Sequence, residues 1–322
     1  MYDFVSIGEM LIDFTPCGSG EGAPLYQQNP GGAPANVACV MARLGRRAAF
    51  VGKVGRDSFG MACKAALEAA GCDSSHLVLS GAYGTTLAFV TLSPDGNRDF
   101  SFYRNHTTAD VNLLPEDIDP ELYGRTRLFH FGSVSLTCEP CRSTVLQAVK
   151  RASDAGAVIS FDPNLRASLW PSPEEARETI LASLPLCDLL KLSDEEERFL
   201  FGDLPEDQVG QKLCGEYGIR LAVITRGKDG CTAFAGGRRF DSPAYDVEAI
   251  DTTGAGDAFW AGVLLRLLET GRPADQLQDG EIRDALRFAN ALGGLVTTRR
   301  GAIAAIPERE EIEALMASGK TL

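Results

Sequence analysis

Apolar, β-branched runs alternate along this chain with longer stretches in which apolar residues recur every three or four positions. The short runs predict buried strands at residues 3–8, 48–54, 128–132, 157–162, 189–192 and 221–225. Helical spacing predicts helices near residues 35–44, 58–70, 141–155, 174–184 and 205–217, with Gly45 and Gly71 placed where C-terminal caps belong. The last third reads as three further helices, starting near Ala255, Gly280 and Pro307. Strand and helix in alternation are the signature of an α/β protein whose parallel sheet is covered by helices.

Two segments break the alternation. Residues from about 11 to 30 are rich in glycine, proline and polar groups, and residues 85–104 read as two strands joined by the turn Pro94-Asp95-Gly96-Asn97. These pieces, about 11–34 and 85–105, are expected to combine into a small β-sheet lid above the main sheet, within one domain spanning 1–322. An apolar outer face on such a lid permits a homodimer through it. No internal repeat or low-complexity tract interrupts this organisation.

Composition narrows the function classes. A formal net charge of −13 argues against a general nucleic-acid or anionic-membrane surface, so an anionic substrate needs a local cationic pocket. No stretch is apolar and long enough to span a bilayer. The segment Met1–Gly8 reads as a strand rather than a signal peptide, and nine scattered cysteines without a framework point to reduced thiols in the cytoplasm. Cys138-Glu139-Pro140-Cys141 is a single C-x-x-C lacking two further metal ligands.

The chemistry concentrates in D-T-T-G-A-G-D-A-F-W-A-G, Asp251 to Gly262. Gly254, Ala255 and Gly256 precede an apolar run with helical spacing, so they sit at a helix N-terminus. Free amides and the helix dipole there suit an anion, and small residues let a phosphate oxygen approach the backbone. Asp257, in the first turn, is placed to accept a proton from an attacking hydroxyl. Phosphoryl transfer to an alcohol is the chemistry suggested. A plain helix start, with Asp257 merely favouring the dipole, is the alternative. A second glycine-rich motif, Gly31-Gly32-Ala33-Pro34-Ala35-Asn36, opens another helix, and Asn36 can both donate to and accept from a sugar hydroxyl.

Together the two motifs resemble the paired signatures of the ribokinase-like carbohydrate kinases, the PfkB family, along essentially the whole chain. G-E-M-L-I-D-F at 8–14, F-Y-R-N at 102–105, H-F-G-S-V-S-L at 130–136 and F-D-P-N-L-R at 161–166 add to the likeness, which within the family is to fructokinases. The resemblance implies a three-layer α/β/α ribokinase-like fold with a β lid and a sugar bound between them. It makes Asp257 the general base and Gly254, Ala255 and Gly256 the anion hole. Asp13, Gly31, Gly32 and Asn36 would hold the sugar, with Arg104 and Arg166 contacting substrate or phosphate.

The same resemblance implies ATP at Ser193, Thr225, Gly227, Gly230 and Asn290, and Mg2+ held indirectly through Glu196. Ser193-Asp194-Glu195-Glu196 is equally a capping box, which requires no function. Asp251, Thr253, Val296, Arg299 and Gly301 match positions that bind a monovalent cation in relatives, although Ala305 stands where some relatives have a side-chain oxygen. Stimulation by K+ is therefore expected.

Competing classes are few. Gly319-Lys320-Thr321 is not a Walker A motif because position 314 is Ala314, and Gly8-Glu9-Met10 does not supply a dinucleotide fingerprint. The expected activity is transfer of the γ-phosphoryl group of ATP to a sugar hydroxyl, D-fructose giving fructose 6-phosphate. The alternatives are a 2-keto-3-deoxygluconate kinase, in which Arg104 and Arg166 clamp the carboxylate, and a catalytically silent sugar- or nucleotide-binding relative.

Overall fold

The computed structural model describes residues 1–20, 23–92 and 98–322. The Pro94–Asn97 turn lies outside them. In chain order, β1 (Tyr2–Ile7) is followed by a hairpin of β2 (Leu11–Gly20) and β3 (Ala23–Gly31), then α1 (Ala33–Arg43), β4 (Ala48–Gly55), α2 (Ser58–Ala69) and β5 (Leu77–Ser80). Strands β6 (Thr86–Leu92) and β7 (Arg98–Tyr103) precede β8 (Thr126–Phe131), α3 (Cys141–Asp154), β9 (Val158–Phe161), α4 (Pro173–Ser183) and β10 (Leu189–Ser193). Helices α5 (Asp194–Phe201) and α6 (Glu206–Gly215) lead to β11 (Leu221–Thr225), β12 (Cys231–Ala235) and β13 (Arg238–Ser242). Three helices follow, α7 (Ala255–Thr270), α8 (Asp279–Thr297) and α9 (Arg309–Ser318).

The main sheet runs β13-β12-β11-β10-β9-β8-β1-β4-β5, parallel from β11 to β5 with β12 and β13 antiparallel at one edge. Alternate residues of each strand enter different cores. Phe4 and Phe50 pack with α1, α7 and α8, whereas Val5, Ile7 and Val51 pack with α3 and α4. Near-continuous apolar strands are what a sheet covered on both faces demands. The expected three-layer arrangement is therefore present. The second sheet, β3-β2-β6-β7, stands apart from it. Its strands alternate: Asp13, Ala88 and Phe102 share a register row on one face, and Phe14, Phe89 and Tyr103 lie on the other. Phe14 and Phe89 stack with centroids 4.8 Å apart, and Tyr26 and Tyr103 meet Phe89 edge-on.

Local chemistry explains several element ends. Asp57 caps α2 by accepting from the Gly60 amide at 2.8 Å, and Ser172 caps α4 through the Glu175 amide at 3.1 Å. Helix α7 begins at Gly254 with φ +77°, where a Cβ would also meet the Ala302 methyl at 2.5 Å. Apolar residues cover α7 almost all round because α8 and α1 pack against it. Strand β5, the β12–β13 hairpin and α5 add to the elements predicted from sequence. The first is only four residues long, and α5 announced itself only by its capping box.

Candidate active site

From β1 the chain first builds outward through β4 and β5, then returns to the other side of β1 at β8. Between two such neighbours the loops leave in opposite directions and open a crevice at the carboxyl ends of the strands. A cavity of about 420 Å³ occupies that crevice. Glu9 after β1, Val134 after β8, Asn164 and Arg166 after β9, and Lys191 on β10 form its floor. Leu11, Asp13 and Phe102 of the second sheet face it from above, and Thr252, Thr253, Gly254, Gly256 and Asp257 close one end.

Asp257 is held from two sides. Asn36 Nδ2 donates to one carboxylate oxygen at 2.7 Å and Asn164 Nδ2 to the other at 3.2 Å. Burial raises the Asp257 carboxyl above its ordinary range, opposed by the Asn36 hydrogen bond and by the charges of Lys191 and Arg166. Gly254 and Gly256 reach the cavity wall, whereas the Ala255 amide donates back to the Thr252 carbonyl at 3.2 Å. Two glycines rather than three residues thus present backbone to the cavity.

At the other end, Asp13 Oδ2 and Asn36 Oδ1 converge around Gly31, 3.2 and 3.8 Å from where its Cβ would be. Asn36 Oδ1 is buried without a donor, and no hydrogen bond to the Asp13 carboxylate is present among the described residues. Burial lifts Asp13 to about 6, against the pull of Arg166. Gly32 shapes the same corner: with φ +125°, a Cβ there would lie 2.5 Å from the Glu9 carbonyl oxygen. Glu9, raised to about 7 by burial, accepts from the Ala33 amide at 3.2 Å and from Ser135 Oγ at 3.3 Å.

Arg104 departs from expectation. Its side chain is 3% exposed and does not line the cavity; Nε donates to Asp110 at 2.6 Å and Nη1 to Thr137 Oγ1 at 2.6 Å. Asp110 also accepts from Thr86 Oγ1 at 2.5 Å, so the pair ties the ends of β6 and β7 to the main sheet. The chain doubles back within six residues, which strand periodicity could not reveal. Arg104→Met leaves Asp110 buried and unpaired, and an unfolding free energy lower by about 3–5 kcal/mol is expected in urea titration. Wild-type stability in that variant would show the pair to be inconsequential.

Of the nucleotide and metal candidates, Thr253 lines the cavity and the others do not. Ser193 and Thr225 are register partners at the ends of β10 and β11, and Gly227–Asp229 forms the turn that follows. Gly230 closes this turn against the Ser242 carbonyl. Asn290 is an interior residue: its amide donates to Ser242 Oγ at 3.0 Å and the Pro243 carbonyl at 3.1 Å. Ser193 and Glu196 form the capping box, and Glu196 Oε1 further accepts from the Leu165 amide at 2.7 Å. Asp251 accepts from the amides of Thr253 at 2.9 Å and Gly301 at 3.1 Å, and Thr297 receives its own amide at 3.0 Å. The Val296 carbonyl accepts from the Arg299 amide, while the Arg299 side chain turns out to Glu311.

Asn164, Asp162 and Lys191 belong to this region and were not singled out from the sequence. Asn164 has φ +49°, a left-handed conformation that asparagine tolerates better than other side chains. Lys191 stood in plain view as a single charge within the apolar run Leu189-Leu190-Lys191-Leu192.

A model of the pfkB family carbohydrate kinases matches residues 1–309. Fructokinase-1 of Oryza sativa subsp. japonica is 46% identical over 318 residues, covering 98% of this chain and 97% of that protein. A Xylella fastidiosa fructokinase solved with bound ATP superposes with a TM-score of 0.91 at 32% identity, covering 99% of each chain. A Vibrio cholerae O395 fructokinase double mutant, in its fructose-, ADP- and potassium-bound form, gives 0.87 at 33% identity over 98% of each. The chain belongs to the pfkB family of carbohydrate kinases. Among the described residues, no helix is long and apolar enough to cross a membrane.

Proposed function

We propose that this carbohydrate kinase transfers the γ-phosphoryl group of ATP to D-fructose, giving fructose 6-phosphate. One observation carries the site assignment. A single cavity holds two hydroxyl acceptors without protein donors, Asp13 and Asn36 Oδ1, and a carboxylate at a helix N-terminus, with Asn36 bridging the two ends. Sugar hydroxyls satisfy the acceptors, and Gly31 and Gly32 leave them room. Residues 11–34 and 85–105 act as the lid over this sugar; its closure excludes water that would otherwise compete as acceptor.

The attacking hydroxyl gives its proton to Asp257 as its oxygen forms the bond to the γ-phosphorus. The bond from phosphorus to the β-bridging oxygen breaks and ADP leaves with the electron pair. Backbone of Gly254 and Gly256, at the positive end of α7, receives the charge on the phosphoryl oxygens. The nucleotide lies along Ser193, Thr225, Gly227 and Gly230, and Asn290 supports that wall from within by holding the end of β13.

Among the described residues, no cluster of three or more His, Cys, Asp or Glu side chains forms a ready metal cage. Both Glu196 oxygens already accept backbone amides, so the donor set fits Mg2+ brought by the nucleotide and held by Glu196 through water. Bound there, Mg2+ offsets phosphate charge. The Asp251 carboxylate, folded into the loop of Thr253, Val296, Arg299 and Gly301, fits K+ beside the Gly254 turn.

A neutral ketose fits better than a keto acid, because Asp110 occupies Arg104 and, of the two arginines considered as a carboxylate clamp, Arg166 alone lines the cavity among the described residues. Coupled ADP release should show kcat/KM for fructose at least about 100-fold above that for 2-keto-3-deoxygluconate. Omitting Mg2+ should stop turnover and omitting K+ should slow it. Turnover on the keto acid alone would overturn the fructose assignment, and equal rates with and without K+ the cation site.

A further inference from the structure

The floor of the cavity contains an ion pair that the reaction above does not use. Lys191 Nζ donates to both oxygens of Asp162, at 3.1 and 3.0 Å, with the two side chains 8% and 2% exposed. Such a pair is a poor device for stabilising a sheet, since desolvating two ions offsets most of their attraction and apolar residues would serve as well. Its position is informative. The neighbours Leu190 and Leu192 point into the core beneath α3 and α4, so strand alternation turns Lys191 to the opposite face, toward α7.

There the ammonium lies against the anion-binding turn. A Cβ on Gly256 would be 3.3 Å from Lys191 Nζ, and Lys191 lines the cavity beside Gly254, Gly256 and Asp257. Among the described residues its hydrogen bonds go to Asp162 alone, so one of the three ammonium N–H groups remains for a ligand. Burial alone would depress the lysine, but the surrounding carboxylates, Asp162, Glu196 and Asp257 in that order, outweigh it and keep the ammonium charged. Three carboxylates around one ammonium leave two negative charges in excess, and Arg166, the other cation acting on Asp257, offsets one of them. A γ-phosphoryl group arriving at Gly256 meets Lys191 directly.

We propose that Lys191 is a further catalytic residue, whose ammonium binds the oxygens of the phosphoryl group in flight, and that Asp162 is a positioning residue that aims it. Lys191 keeps its proton throughout; the proton from the sugar goes to Asp257 and the electron pair of the broken bond leaves on ADP. The inference rests on the carbohydrate-kinase reading of the cavity, not on fructose as the sugar.

The test uses Lys191→Met, Asp162→Asn and the double variant Asp162→Asn/Lys191→Met. The single methionine variant strands a buried carboxylate and is at risk of misfolding; the double variant removes both charges and should regain a near-wild-type melting temperature. Lys191→Met and the double variant are expected to lose about 10²–10³-fold in kcat with fructose KM within threefold of wild type. Asp162→Asn keeps the ammonium without its anchor and should lose about tenfold in kcat, again without a change in KM. Binding of ADP with aluminium fluoride, a mimic of the phosphoryl group in flight, should weaken at least about 100-fold in the double variant while ADP alone binds as before. A folded double variant with wild-type kcat and undiminished fluoride-complex affinity would reduce the pair to a structural one. The fluoride-complex assay needs no turnover, so an enzyme inactive on fructose would overturn the sugar assignment and still decide the role of Lys191.

Discussion

Asp257→Asn is expected to lower kcat by about 10²–10⁴-fold with little change in the affinity for sugar. Asparagine keeps the shape of the side chain and one acceptor, so either Asn36 or Asn164 retains its hydrogen bond while the proton acceptor is lost. The raised carboxyl also gives the pH profile a sign. A base must be ionised, so in the wild type kcat should fall as pH drops through a value above the ordinary aspartate 3.8. The asparagine variant should lack that acid limb. Rapid-quench or coupled assays between pH 5 and 8 read both quantities. Wild-type turnover in Asp257→Asn would remove it as the base.

Asp13→Asn should separate binding from stability. Hydrogen bonds to a charged acceptor are worth about 1.5–3 kcal/mol each, and asparagine retains one neutral acceptor, so fructose KM should rise about 10–100-fold with kcat much less affected. The free protein should become more stable. Because folding lifts Asp13 from 3.8 to about 6, the wild-type fold binds the proton more tightly than the unfolded chain. Its stability therefore declines as pH rises from 4 to 6, and above 6 it carries a cost on the order of 3 kcal/mol. The variant does not pass through that decline. Its advantage in thermal unfolding should be full at pH 8, shrink below pH 6 and vanish near pH 4. No advantage at pH 8 would mean that Asp13 is satisfied within the protein rather than awaiting a ligand.

Periodicity made the layers legible because a parallel sheet covered on both faces must write itself in short apolar runs, and residues 128–132 or 221–225 do so without ambiguity. The hairpin of β12 and β13 escaped because Cys231-Thr-Ala-Phe-Ala is buried throughout and carries no alternation, while Gly236-Gly237 alone marks its turn. In the cavity, the placing of Gly254, Gly256 and Asp257 at a helix start was readable since the glycines and the apolar helical run that follows are neighbours in sequence. The partners of Asp257 were not. Asn36 and Asn164 lie 221 and 93 residues away from it, and only folding brings their amides to one carboxylate. Arg104 shows the opposite failure: a residue type suited to anions was already committed to Asp110, and no spacing rule reports a prior engagement.

The division of the cavity between two sheets bears on how such enzymes change. Groups facing the phosphoryl end belong to the main sheet and α7, whereas Asp13 and Phe102 belong to strands of a separate sheet. Substitution on that second sheet can therefore alter which acceptor is welcomed without disturbing the apparatus of transfer. Selection for a new acceptor would find its variable positions on a separate scaffold, and a library confined to the cavity face of β2, β6 and β7 would explore new substrates while inheriting the old chemistry.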